Sequence, residues 1–163
     1  MTDYAGLLRV LAEAKVQFVL VGGAAAIAHG SARQTLDVDV VYARSPENIR
    51  RLADAIAPHD PYLRGAAPGL PFSWNTDTIS SGLNFTLTTS LGDIDLLGEI
   101  VGGGRYEQLT SHSITLSAFG IECLCLNLEY LIRVKRAAGR PRDLEAIAEL
   151  EVLLEEQTRQ EDP

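Results

Sequence analysis

The stretch LDVDVVY, residues 36–42, sets two carboxylates inside an apolar run. No other feature narrows the folds open to this chain as far. Strict alternation of apolar and polar residues marks a β-strand, in which successive side chains point to opposite faces. Leu36, Val38 and Val40 then share one face and Asp37 and Asp39 the other, with about 7 Å between the two aspartate α-carbons. Carboxylates are seldom buried without partners. Two on one face repel unless a cation lies between them, and an all-oxygen donor set suits Mg²⁺ or Mn²⁺. A third ligand would come from a neighbouring strand. DIDLL, residues 93–97, offers Asp93 and Asp95 on one face, opposite Ile94 and Leu96. The competing reading is an acidic, solvent-facing sheet surface with no metal.

The surrounding elements follow from periodicity and caps. Tyr4, Leu7, Leu8 and Leu11 recur at helical spacing, which predicts a helix over 3–15 capped by Thr2 or Asp3. VQFVLV, 16–21, predicts a buried strand; Gly22-Gly23 breaks it, and a short helix ends at Gly30. Ser45-Pro46 opens a helix to about Ala57. Residues 58–82 hold Pro58, Pro61, Pro68 and Pro71 and predict an irregular segment with a short strand or turn near 72–74. LNFTLTT and DIDLLGEI predict a hairpin about Ser90-Leu91-Gly92. SITLS and IECLCL predict another through Ala118-Phe119-Gly120, after a loop and short helix in GGGRYEQL. Asn127 caps a helix to about Ala138, Gly139 stops it, and Pro141 begins a last helix to about Glu156. The expected fold is α/β, or more strictly α+β: a mixed, mostly antiparallel central sheet flanked by helices, with a C-terminal helical pair, in one domain over 1–163.

Composition limits the partners. A chain of 163 residues, 46% hydrophobic and 22% charged, suits one ordinary globular domain. A net charge of −8 argues against nucleic-acid binding by the whole surface. Yet RVKRAAGRPR, 133–142, concentrates five of the fourteen lysines and arginines, which suggests a local anion site; the alternative is a solvated helix face. No apolar run is long enough to span a membrane, and the N-terminus lacks the shape of a secretory signal. A cytoplasmic protein with no membrane partner is expected. Cys123 and Cys125 alternate on a predicted strand and read as buried structural thiols.

VGGAAAIAHGSARQTLDVDVV, 21–41, resembles the nucleotidyltransferase, or polymerase-β-like, fold superfamily. It is most similar to the minimal bacterial branch that includes nucleotidyltransferase toxins of abortive-infection and toxin–antitoxin systems. That branch has a hydrophobic strand, Gly-Gly, a short helix with His-Gly, then Arg-x-Thr-x-Asp-x-Asp. Gly22, Gly23, His29, Gly30, Arg33, Thr35, Asp37 and Asp39 fit it. Gly92, Asp95, Leu96 and Leu97 fit its Gly-x-x-Asp-Leu-Leu, and Lys135, Gly139, Arg140, Arg142, Asp143 and Leu144 fit its tail. The resemblance covers nearly the whole chain, and 58–82 carries no motif.

The resemblance implies that Asp37, Asp39 and Asp95 are catalytic and hold Mg²⁺ or Mn²⁺. Asp95 would also accept the proton of the attacking hydroxyl. A nucleoside triphosphate would be bound by Gly22, Gly23, His29, Arg33, Lys135 and Arg140, and its nucleoside monophosphate transferred to a hydroxyl with release of pyrophosphate. The acceptor would be a tRNA 3′ end, a protein side chain or a small molecule, and a toxin would have an antitoxin partner chain. Gly23 stands where many relatives have serine. His29 has a second reading as a helix-end residue; Lys135 and Arg140 have one as surface ion pairs with Glu129, Asp143 or Glu145. Asp93 falls outside the motif, as a turn residue or an outer carboxylate. Two other functions stay open: an antibiotic-type, small-molecule nucleotidyltransferase, and a non-catalytic nucleotide- or partner-binding module of the same fold. The presence of all three carboxylates argues against the module.

Overall fold

The structure is a computed structural model and describes residues 1–161. Its strands are β1 (Phe18–Val21), β2 (Asp37–Tyr42), β3 (Tyr62–Leu63), β4 (Phe85–Thr89), β5 (Gly92–Leu97), β6 (Ser113–Ala118) and β7 (Ile121–Leu126). All seven join one sheet in the order β3-β4-β5-β2-β1-β7-β6. The β2–β5 and β1–β7 pairs are parallel and the other four antiparallel. This is the mixed, mostly antiparallel sheet that the alternation patterns predict.

The helices start where their caps put them. Asp3 accepts from the Gly6 N–H at 2.9 Å and opens α1 (Tyr4–Glu13), which buries Leu7, Leu8 and Leu11. Ser45 accepts from the Asn48 N–H at 3.2 Å and opens α3 (Pro46–Ile56), which follows α2 (Gly22–Ala28). Between α4 (Thr76–Ser81) and the tail lies the short α5 (Tyr106–Leu109). Asn127 accepts from the Tyr130 N–H at 2.8 Å and opens α6 (Leu128–Ala138). After Gly139 the chain packs back along it as α7 (Pro141–Glu161), the expected C-terminal pair.

Several boundaries differ from expectation. The first strand begins at Phe18, not Val16, because Lys15 adopts φ +58° and turns the chain between α1 and β1. Leu36 lies outside β2 and is 82% exposed, so the buried face of that strand is carried by Val38 and Val40. Residues 72–74 form neither strand nor turn. Phe72 and Trp74 instead pack edge-on against Tyr62 and Phe85, at 6.0 and 5.6 Å between ring centres. The regular structure of the proline-rich segment is the end of a 3₁₀ helix at Ala57–His59, β3 and α4. The last helix runs five residues past the expected Glu156. Both cysteines are buried and unbridged, and burial pushes the Cys125 thiol up to about 12. No helix among the described residues is long and apolar enough to cross a membrane.

One buried polar side chain ties the centre of the sheet together. The Asn48 amide accepts from the Gln17 N–H at 2.7 Å and donates to the carbonyls of Gln17 at 3.0 Å and Ala43 at 2.7 Å. Those two residues are the lead into β1 and the exit from β2, so Asn48 ties together the strand that leads into Gly22 and the strand that carries Asp37 and Asp39. Asn48 is 1% exposed, so these bonds are made out of contact with solvent. Asn48→Ala should therefore lower unfolding free energy by about 2–4 kcal/mol, since it leaves buried backbone groups unpaired. Urea denaturation of the two proteins measures this.

Candidate active site

Pairing register assembles four carboxylates on one sheet face. The parallel β2–β5 pairing puts Asp37 beside Asp93 and Asp39 beside Asp95. Val38, Val40, Ile94 and Leu96 point the other way and are fully buried, which fixes the orientation of both strands. One oxygen each from Asp37, Asp39 and Asp95 lie within 4.8 Å of one another, whereas Asp93 stands outside this cluster. The sequence-derived triad is thus brought together and the fourth aspartate set apart.

The cation facing these carboxylates comes from the segment without a motif. Arg64 follows β3, and its backbone N–H donates to the Thr86 carbonyl. Thr86 pairs with Asp95 and Asp95 with Asp39, so Arg64 falls in the same cross-strand row as both carboxylates. Its guanidinium reaches over β4. Nη2 stands 2.9 Å from Asp95 Oδ1, Nη1 3.6 Å from Asp37 Oδ2 and Nε 3.4 Å from Asp93 Oδ2. Nη2 also donates to the Leu87 carbonyl at 2.8 Å. Residue 64 stood out by no pattern of its own. The one available signal was charge: four aspartates on one face require a cation, and neither aspartate strand supplies it.

One arginine does not satisfy the whole face. Asp39 makes no ion pair with it, and burial, then the charges of Asp37 and Asp95, push the Asp39 carboxyl up to about 8. Burial also raises Asp95, against a hydrogen bond with Asp39 and then the opposing pull of Arg64. Oδ1 of Asp39 and Oδ1 of Asp95 are buried without a well-directed hydrogen-bond donor; the Asp95 oxygen is close to Arg64 but off the N–H line. Buried, under-satisfied oxygens clustered on three aspartates form a donor set that fits a hard divalent cation.

Around the triad the backbone comes unusually close. Gly22 opens α2 with φ +66°, and a Cβ there would strike the Asp39 carboxylate. A Cβ at Gly23 would stand 2.8 Å from Thr35 Cβ and Oγ1. Thr35 occupies that space and donates to Asp37 Oδ1 at 3.1 Å, holding the first aspartate. The 30–36 loop carrying Thr35 is tethered from both ends of the chain. Tyr4 donates to the Thr35 carbonyl and Thr2 to that of Leu36, while Glu149 accepts from Ser31 and from the Ala32 N–H.

The carboxylates open into a cleft of about 570 Å³ whose wall includes Gly22, Gly23, Arg33, Lys135, Arg140 and Arg142. Lys135 is held below its ordinary value by burial, with Asp143 and Asp39 as its opposing charges. Arg140 lies on the wall, but its Nε and Nη2 bond Asp143 at 2.6 and 3.2 Å, the ion pair that the sequence offered as its second reading. Burial would raise Asp143; Arg140 and Lys135 outweigh it and hold the carboxyl low. Arg33 makes no ion pair among the described residues. His29, expected at the triphosphate, is not among the residues that line the cleft. It caps the far end of α2, and its Nε2–H donates to the Leu126 carbonyl at 2.8 Å.

No protein-family profile matches the sequence, and no curated protein does. Solved structures do match. A Thermotoga maritima protein assigned provisionally to the nucleotidyltransferases superposes with a TM-score of 0.58 at 15% identity, over 91% of this chain and 94% of its own. An antigenic nucleotidyltransferase-like protein of Paracoccidioides brasiliensis gives 0.50 at 16% identity, over 90% and 72%. The chain has the nucleotidyltransferase fold. At these identities the likeness concerns architecture, and the chemistry has to be argued from the cleft.

The raised Asp39 gives the metal-free protein a defined pH response. Unfolded, this carboxyl ionises near 3.9; folded, it keeps its proton to about pH 8. The folded state binds more protons across that window, so this group's penalty is absent below about pH 4 and complete above about pH 8. Stability in chelator should therefore fall as pH rises from 5 to 8, and Asp39→Asn should flatten that slope and raise the melting temperature at pH 8. Thermal melts of both proteins at the two pH values decide it.

Proposed function

We propose that this chain is a metal-dependent nucleotidyltransferase that moves a nucleoside monophosphate from a nucleoside triphosphate to a hydroxyl acceptor. The observation that carries the reading is the cluster of Asp37, Asp39 and Asp95, with buried, under-satisfied oxygens, at the base of a cleft whose wall carries Lys135. The three aspartates would hold Mg²⁺ or Mn²⁺, which neutralises triphosphate charge and stabilises the attacking and leaving oxygens of an in-line displacement.

The chain's own groups supply the rest. Asp95 stands where the motif resemblance puts the group that would take the acceptor hydroxyl's proton, and burial raises its carboxyl in the metal-free protein. Gly22 lets backbone approach the triad where any side chain would collide with Asp39. Lys135 and Arg33, both on the cleft wall, would bring positive charge to the phosphates. Arg140 has less to give while Asp143 holds its guanidinium.

The finer reading keeps an RNA 3′ end or a protein side chain as the acceptor and a toxin role with an antitoxin partner. It is supported by the motif resemblance of 21–41. The test is to incubate the protein with each labelled nucleoside triphosphate, Mg²⁺, total RNA and cell extract, and to identify what becomes labelled. Asp39→Asn and Asp95→Asn should each lower transfer by roughly a hundredfold or more, and Asp93→Asn by under about tenfold. Full transfer by Asp95→Asn would remove it as the base and ligand. No labelling of any acceptor, with triphosphate binding intact, would favour a binding module.

A further inference from the structure

Arg64 poses a question that the transfer reaction does not answer. A basic side chain sits on two of the three carboxylates that would hold the proposed metal. Its Nη2 is 2.9 Å from Asp95 Oδ1, and its Nη1 is 3.6 Å from Asp37 Oδ2. A guanidinium and a divalent cation on the same carboxylates are like charges close to each other. Each offsets part of the cluster's charge, and the two repel each other.

We propose that Arg64 is an internal competitor of the divalent cation: the cluster exchanges arginine for metal, and that exchange sets the metal affinity. The inference rests on the metal-dependent reading above.

Three observations support exchange over permanent bracing. First, the anchor is one-sided. Arg64 comes from the last residue position beside β3, the two-residue strand at the sheet edge, and crosses β4 to reach its partners. Second, the grip is loose. Two of the three ion contacts are 3.4 Å or longer, Nε is buried with no hydrogen-bond acceptor, and the only side-chain hydrogen bond with good geometry goes to the Leu87 carbonyl on β4. An arginine built to lock carboxylates makes paired, linear bonds to one of them, as Arg140 does with Asp143. Third, there is a second station. Asp93 lies outside the triad yet within reach of Nε, so the guanidinium can give up Asp37 and Asp95 and keep a carboxylate. The side chain is 26% exposed, so part of it already faces solvent.

The test uses the full chain, freed of metal by chelation, with Mn²⁺ as the probe. Mn²⁺ affinity is read by electron paramagnetic resonance for wild type, Arg64→Gln and Arg64→Lys, with a thermal melt confirming that each is folded. Arg64→Gln should bind Mn²⁺ about tenfold tighter or more than wild type, because the competing charge is gone. Arg64→Lys should fall between them. An Arg64 that merely shapes the site predicts the opposite, weaker binding, and equal or weaker affinity in folded Arg64→Gln overturns the proposal. If the glutamine variant fails to fold, the wild type decides by itself. Titrating ¹⁵N-arginine-labelled protein with Mg²⁺ should move the Arg64 Nε–H resonance in step with occupancy, and a resonance unmoved at saturation overturns the exchange. Absence of Mn²⁺ binding by every protein would instead sink the metal-dependent reading, and this inference with it.

Discussion

Repulsion among like charges is the constraint around which this molecule is arranged. Parallel pairing of β2 with β5 sets four aspartates in a two-by-two array on one face of the sheet. The other face of the same strands is fully buried valine, isoleucine and leucine. The apolar face gains from burial and leaves the strands no freedom to turn the aspartates outward. The cluster is thus imposed by the core behind it, and its charge must be met by cations brought from elsewhere.

The nearby features are responses to that demand. Arg64 arrives from the sheet edge and touches three of the four carboxylates. Lys135 arrives from α6 and opposes Asp39 and Asp143. Asp39, which neither fully neutralises, has its carboxyl pushed up to about 8. Burial first, and then the neighbouring carboxylates, keep this carboxyl from ionising, so a cation bound there would displace a proton.

The backbone around the cluster shows the same economy of space. Gly22 and Gly23 sit where a Cβ would meet Asp39 and Thr35, so both close approaches depend on the missing side chains. Thr35 fills the place of a side chain at 23 and directs its hydroxyl to Asp37. Its loop has little regular structure, and contacts from Thr2, Tyr4 and Glu149 hold it. Residues near both ends of the chain therefore bear on one short segment of the cleft.

Much of this was legible in the sequence because it is local. Period-two alternation in 36–42 and 93–97 assigns every aspartate to a face, and Asp3, Ser45 and Asn127 announce the helix starts they cap. The motif resemblance separated Asp95 from Asp93, and the geometry of the oxygens agrees. What local pattern cannot carry is the partner across space. His29 has its motif position, yet a carbonyl of β7, almost a hundred residues away in the chain, decides that its ring turns from the cleft. Arg140 has the charge for an anion site, but Asp143 takes it within one helical turn. Arg64 has no periodicity and no motif. It becomes a site residue only through the order β3-β4-β5-β2, which aligns it with Asp95 and Asp39 in a single row. By itself the sequence determined which side chains share a face, since that depends on backbone period alone. Which charges meet across the cleft was decided by strand order and register, which arise only when distant segments pack.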